Sequence, residues 1–269
     1  MKKIKVLIVG TGSLLNYGCE AIVQGSYRII KAAIPESEIY VASDDIGYDQ
    51  TVLPHDVKLI SYKQRFTPYR IYKGVLRRFF HIGGGSAVRM NTHVGEKIDI
   101  VLSCGGDNYC EAPNGTIYTI LEDLMEIGHR AFKKGKKYVL WGASVGPFIT
   151  EINRRRVADN LKECSLITVR EKLSYEYTLS ELGCSSEKVK LIADPAFCMD
   201  PDDDVDFKKE NSFTYIGLNI SQLAISHACH GEEVKEIQNC IFTQLDDYLA
   251  SHEQVRYLCI PHVMTDPGP

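Results

Sequence analysis

Five apolar runs along the chain break off into residues able to bind or react. "IKVLIVG" leads to Asn16, Gly18 and Glu20, and "DIVLSC" to Gly105, Gly106, Asp107 and Asn108. "KYVLWGA" leads to Ser144 and Gly146, "SLITV" to Arg170, with Glu171 opening a helix, and then Ser174, and "KLIA" to Asp194. Glycines ahead of a helix leave backbone N–H groups and the positive end of the helix dipole available, which suits a phosphate or a carboxylate. At Gly105 and Gly106 no β-carbon keeps a ligand from the backbone. Arg170 offers a planar fork for an anion, and Asp107 a base or hydrogen-bond acceptor for a hydroxyl.

Structural roles compete with these. Gly10 and Gly12 either make a tight turn or approach a ligand, Arg170 either grips an anion or pairs with a neighbouring acid, and Asp194 before Pro195 caps a turn. Cys104 and Cys110 frame the glycine pair and raise a redox or metal reading. The chain has nine cysteines, an odd number scattered singly with no CxxC. That pattern suits neither a disulfide framework nor a zinc site. Reduced, mostly buried thiols are expected, with a backbone cradle edged by Asp107 and no metal.

The elements that must carry these residues follow from the patterning. Strands are expected in "IKVLIVGTG", "SEIYVAS", "DVKLISY", "KIDIVLSCGG", "KKYVLWGASVGP", "SLITVR" and "KVKLIADPA", short apolar runs of the kind found in sheets covered on both faces. Helices are expected in "NYGCEAIVQGSYRIIKAAI", "IYTILEDLMEIGHRAFKKG", "RRRVADNLKEC" and "EKLSYEYTLSELG". The second is closed by Lys133, Lys134 and Gly135, and the last by Gly183. Strand and helix alternating this often predict a doubly wound parallel sheet, a Rossmann-like α/β domain over residues 1–200. In such a sheet ligands gather beyond the carboxyl ends of the strands, where the five sets of residues fall. An acidic linker, 201–212, follows. Residues 213–269 then restart as one strand–helix–strand unit, read as the start of a second α/β domain that the chain does not complete.

The formal net charge of −4 lacks the basic footprint of a nucleic-acid binder. No apolar run nears the roughly 18–20 residues that span a bilayer, and "MKKIKVLIVG" is too short in its apolar part for a signal peptide. A cytoplasmic protein is expected. Residues 63–97 are basic and aromatic, with Arg65, Arg70, Lys73, Arg77, Arg78 and Arg89. They make either a helical excursion with a solvated face or a patch for a membrane surface. "HIGGGSA" follows no clear strand and fits no phosphate-loop pattern. A nicotinamide site is disfavoured because "VGTGSLLNYG" lacks GxGxxG and leaves Asp44 and Asp45 as loose ribose partners.

The segments "NYGCEAIVQG", "VLSCGGDNY", "WGASVGPF", "ITVREKLSYEYTLSELG", "LIADPAF" and "YIGLNIS", in this order, resemble the polysaccharide pyruvyl transferase family. The resemblance covers nearly the whole chain. It implies a GT-B-like fold with the site between two domains and no resident cofactor. Phosphoenolpyruvate would be the donor, and a sugar of a cell-surface polysaccharide or its lipid-linked precursor the acceptor, with contact at the inner membrane face. The product would be a pyruvate ketal on two sugar hydroxyls, with phosphate released. On this reading Arg170 holds the donor, helped by the Asn16–Gly18 and Gly105–Gly106 backbones. Asp107 orients or deprotonates an acceptor hydroxyl, and Glu20, Asn108, Ser144, Gly146, Ser174 and Asp194 line the site. A nucleotide-sugar glycosyltransferase and a non-catalytic polysaccharide binder are the alternatives. The chain departs from the family in two places. Cys19 stands where members usually carry an acidic residue, with Glu20 beside it. The family's carboxy-terminal Arg-x-His segment is expected beyond Pro269, and His262 comes too early to be its histidine.

Overall fold

A computed structural model describes residues 3–61, 98–112, 114–201, 208–220, 233–261 and 263. The basic stretch 63–97, the "HIGGGSA" glycines, Cys229 and His262 lie outside the described residues. Two compact units are present, Met1–Asp200 and Pro201–Pro269.

In the first unit, seven of the described strands form one parallel sheet: β1 (Lys5–Val9), β2 (Glu38–Ser43), β3 (Lys58–Ser61), β4 (Ile100–Ser103), β5 (Lys137–Ala143), β6 (Leu166–Val169) and β7 (Val189–Leu191). Their order is β3-β2-β1-β4-β5-β6-β7, so the winding reverses between β1 and β4. There Ile8 is in register with Val41 on one side and Leu102 on the other. The doubly wound α/β expectation holds. Alternation explains why β1 is apolar throughout. Val6 and Ile8 join one core cluster, and Leu7 and Val9 join the other, so both faces of the strand are buried. Each such side chain contributes about 1.5–3 kcal/mol relative to exposure.

Helix α1 (Tyr17–Ala33) covers the first cluster with Ile22, Val23 and Ile30. It stops at Ile34, because the following Pro35 disfavours helical geometry before it. Helix α2 (Ile46–Val52), absent from the sequence reading, follows β2 and is capped by Asp45, whose carboxylate accepts from the Tyr48 amide at 3.2 Å. Helices α3 (Thr119–Lys133) and α4 (Glu151–Lys162) cover the other cluster through Leu121, Leu124, Val157 and Leu161. Helix α3 ends as expected, with Lys134 at the cap and Gly135 left-handed at φ 65°. Helix α5 (Lys172–Ser180) and a 3-10 turn (Pro195–Cys198) complete the unit. That turn seats on α1 and β5, where Gly25 and Gly142 leave the room that Pro195 fills. Trp141 on β5 donates its indole N–H to Ser26 Oγ on α1 at 2.9 Å, tying sheet to helix.

Helix α4 starts three residues earlier than the sequence pattern indicates, because its cap comes from elsewhere. Glu111, 7% exposed, accepts from the amides of Ile149 and Thr150, the Thr150 hydroxyl and the Asn153 amide. Burial pushes this carboxyl up, but the bonds from Thr150, Asn153 and Ile149 outweigh it and hold the pKa below the ordinary 4.5.

The second unit holds β8 (Thr214–Leu218), α6 (Glu233–Ser251) and β9 (Val255–Cys259), the two strands parallel with Tyr215 opposite Arg256. Helix α6 buries none of its residues, in line with a single βαβ unit being too small to enclose a core. The cysteines depart from expectation in burial. Among the described ones all are free thiols, but Cys104, Cys164 and Cys184 are buried while Cys198, Cys240 and Cys259 are exposed.

Glu111→Gln is expected to cost about 1–3 kcal/mol in urea denaturation at pH 7, since it removes a buried, charge-accepting cap. The folded pKa lies below the unfolded one, so the stabilisation is complete above pH 4.5 and fades as pH falls through the folded value. Wild type and variant should therefore converge as the pH falls below that folded value.

Candidate functional site

The carboxyl ends of β1 and β4 meet more closely than side chains allow. The Cys104 amide donates to Val9 O at 2.8 Å. Beyond that point Gly10, at φ 98°, lies so near that a β-carbon would stand 2.2 Å from the Cys104 carbonyl oxygen. Asn108 fills the junction, donating Nδ2 to Gly10 O at 2.6 Å and to Cys104 O at 3.2 Å. The space over Gly105, at φ 115°, is occupied by the same amide, 2.0 Å from where a β-carbon would be. Gly10, Gly105 and Asn108 thus form a tie between two strand ends. Gly106 is covered instead by Arg170, whose Nη2 would lie 2.8 Å from a β-carbon there.

Arg170 gathers four strand ends. Nε donates to Ser144 Oγ after β5 at 3.0 Å, and Nη1 to Asp194 Oδ2 after β7 at 2.6 Å. The Ser144 amide donates to Gly106 O after β4 at 2.8 Å. Ser144 Oγ in turn donates to the carboxylate of Glu171. The Arg170 side chain is 25% exposed and that of Asp194 20%. Asp194 also accepts from the Ala196 amide at 2.9 Å, so the turn cap and the ion pair are both realised by one residue. The guanidinium is held from two directions before any ligand arrives.

The remaining expected site residues fall elsewhere on this rim or beneath it. Asn16 caps α1 through the Gly18 and Cys19 amides at 2.9 and 3.3 Å, so those N–H groups are already satisfied. Glu20 accepts from Gln24 Nε2 at 2.7 Å, and that nitrogen also donates to Val52 O, which directs Glu20 toward α2. Burial, then Asp49, pushes the Glu20 carboxyl up against the bond from Gln24. Asp107 is exposed, and its charge acts on both Cys19 and Cys110. Burial, then Asp107 and Asp49, pushes the Cys19 thiol up, so a neutral group starts α1. Ser174 is buried and accepts from the Val145 amide at 2.9 Å. Gly146 precedes a cis proline and sits against the Tyr177 ring, whose hydroxyl accepts from the Phe148 amide at 2.9 Å. Both residues shape the Ser144 loop from below. Cys104 is buried, and burial pushes its thiol up strongly, which leaves the redox alternative without a thiolate.

Sequence reasoning placed Glu171 after Arg170 as a helix start without giving it a site role, and it missed Tyr109 as the anchor of the glycine loop. Tyr109 Oη bonds Ser103 Oγ at 2.9 Å and Tyr138 Oη at 2.8 Å, and Tyr138 donates to Leu124 O at 3.0 Å. The position of Tyr109 directly after "GGDN" was the available signal. Among the described residues no group of three His, Cys, Asp or Glu is placed to hold a metal, and no helix is long and apolar enough to cross a membrane.

The family model for polysaccharide pyruvyl transferase matches residues 16–267. No curated protein matches the sequence. Among solved structures, a Listeria monocytogenes protein named as a candidate UDP-N-acetylglucosamine 2-epimerase is similar at 16% identity and TM-score 0.55, over 99% of this chain and 64% of that one. The UDP co-structure of MnaA from S. aureus is similar at 18% and 0.53, over 99% and 64%. HepE from Anabaena, with UDP and glucose, is similar at 12% and 0.50, over 96% and 70%. The chain therefore spans less than two thirds of the length of the first two. At these identities the likeness establishes the GT-B-type α/β fold.

Gly10→Ala is expected to destabilise by about 2–4 kcal/mol, through backbone displacement added to left-handed strain. Gly135→Ala, left-handed but with nothing within 4 Å of its β-carbon, should cost only about 1 kcal/mol. Thermal melts of both variants check the comparison; equal losses would mean the strand ends part easily.

Proposed function

The chain belongs to the polysaccharide pyruvyl transferase family, and from that premise we propose that it moves the pyruvyl group of phosphoenolpyruvate onto two hydroxyls of a polysaccharide sugar or its lipid-linked precursor. The observation that carries the reading is Arg170, preset by Ser144 and Asp194 over the Gly106 turn at the carboxyl rim of the sheet. Its Nη2 edge faces that turn and suits one anionic oxygen of the donor, its carboxylate or its phosphate. Presetting the guanidinium lowers the ordering cost of gripping that oxygen and keeps a fixed positive charge where phosphate charge grows.

In the reaction, C3 of phosphoenolpyruvate gains a proton and one sugar hydroxyl oxygen bonds to C2. The second hydroxyl oxygen then bonds to C2 as the C2–O bond to phosphate breaks. Two hydroxyl protons leave; one balances the proton given to C3, and the other departs with hydrogen phosphate. Asp107, exposed beside Gly106, takes the role of orienting or deprotonating an acceptor hydroxyl. A cytoplasmic setting, with the acceptor reached at the inner membrane face, belongs to the same proposal.

Phosphoenolpyruvate is expected to raise the melting temperature of the chain, while UDP- and GDP-sugars leave it unchanged. Arg170→Ala should weaken phosphoenolpyruvate binding by about 10- to 100-fold, the loss expected for a charge-assisted contact. Arg170→Lys, which keeps charge without the fork, should recover only part of it. Unchanged affinity in Arg170→Ala rules out the donor role. Stabilisation by a nucleotide sugar but not by phosphoenolpyruvate favours a glycosyltransferase.

A further inference from the structure

A ketal closes on two hydroxyls, and both must be held and relieved of protons. Asp107 accounts for one carboxylate at this rim. Besides Asp194, which is paired with Arg170, the structure holds another, Glu171, one residue beyond the guanidinium that covers Gly106. As the residue preceding α5, Glu171 is in the position from which a side chain can cap a helix, yet its carboxylate makes no cap bond. It turns instead to the Ser144 hydroxyl. Its Oε1 lies 3.8 Å from Arg170 Nε, and its side chain is 46% exposed.

Among the described residues the charges at this point do not cancel. Asp194, at 2.6 Å, is the direct partner of Arg170. Among the described residues Glu171 takes its hydrogen bond from a neutral hydroxyl and meets Arg170 only at 3.8 Å. An anion would be repelled by Glu171. A neutral polyol is not, and a carboxylate accepts up to about four hydrogen bonds, so a pair of adjacent O–H groups can donate to it with charge assistance. Ser144 accepts from Arg170 while donating to Glu171, which fixes the carboxylate relative to the guanidinium. The two ligands are thus sorted: the donor's anionic end against Arg170, the acceptor's hydroxyls against Glu171.

We propose that Glu171 is the acceptor-binding carboxylate of this site, taking a hydroxyl pair of the sugar beside the donor held on Arg170; the inference rests on the pyruvyl-transfer reading. The test is saturation-transfer NMR on the full chain with phosphoenolpyruvate present. Its probes are methyl hexosides presenting vicinal and 4,6-hydroxyl pairs in both C4 configurations, together with the deoxy analogues of any that bind. At least one hexoside is expected to bind wild type, and Glu171→Gln should weaken it about 10-fold while the phosphoenolpyruvate melting shift is kept or enlarged, with Glu171→Asp in between. The deoxy analogue lacking one hydroxyl of the pair should bind wild type and Glu171→Gln alike, a coupling that a merely structural role does not produce. Hexoside binding that is absent in wild type, or equal in wild type and Glu171→Gln, overturns the inference alone. A wild type that phosphoenolpyruvate does not stabilise overturns the pyruvyl-transfer reading, and the inference with it.

Discussion

The contact between Gly10 and the Cys104 carbonyl is the constraint from which the rest of the site is built. Two neighbouring parallel strands end at the same level, and their loops must diverge. Here the backbones remain in contact one residue longer, at a separation only glycine permits. Two carbonyl oxygens, those of Gly10 and Cys104, then lie at the junction beyond the last ladder bond, from the Cys104 amide to Val9 O. Buried carbonyls must be paired, and the Asn108 amide serves both. That tie fixes the path of the loop through Gly106, the residue against which the guanidinium lies. A looser junction would leave Arg170 without a floor.

Above that floor the site is electrostatic in character. One guanidinium, two carboxylates and a bridging hydroxyl come from the ends of β5, β6 and β7. A lone arginine at this exposure would sample many rotamers, and ordering it on binding would cost free energy. Asp194 and Ser144 remove most of that freedom in advance. The cost is partial neutralisation of the guanidinium, so on the proposed function the anion is met by the Nη2 edge rather than by net charge. This agrees with a chain whose overall charge is negative.

How far the sequence told of this differs by level. The strands were legible because both faces of a central parallel sheet are covered, which writes continuous apolar runs into β1, β4 and β5. Helix α2 was not, since "IGYDQTV" is seven residues long and carries too few apolar positions to show a period. The start of α4 was hidden for another reason: its capping carboxylate, Glu111, lies 39 positions before Thr150. The position of the rim residues could be read because the strands that end in them were legible. Their individual roles could not, because each is decided by a partner far along the chain. Asn108 reaches Gly10 across 98 positions, a tie that no local pattern announces. Asn16 and Gly18 were read as an anion cradle, but a local cap consumed the amides. Ser174, read as a site residue, supports the Ser144 loop from the interior.

The bond from Trp141 to Ser26 carries a practical consequence. The chain has a single tryptophan, and its indole sits where β5 receives α1. Its ultraviolet emission therefore comes from one known seam of the first unit, with no contribution from a second indole to disentangle. Solvent entering between that helix and the sheet shifts the emission to longer wavelength, so an unlabelled sample carries its own optical gauge of whether the platform beneath the arginine is intact.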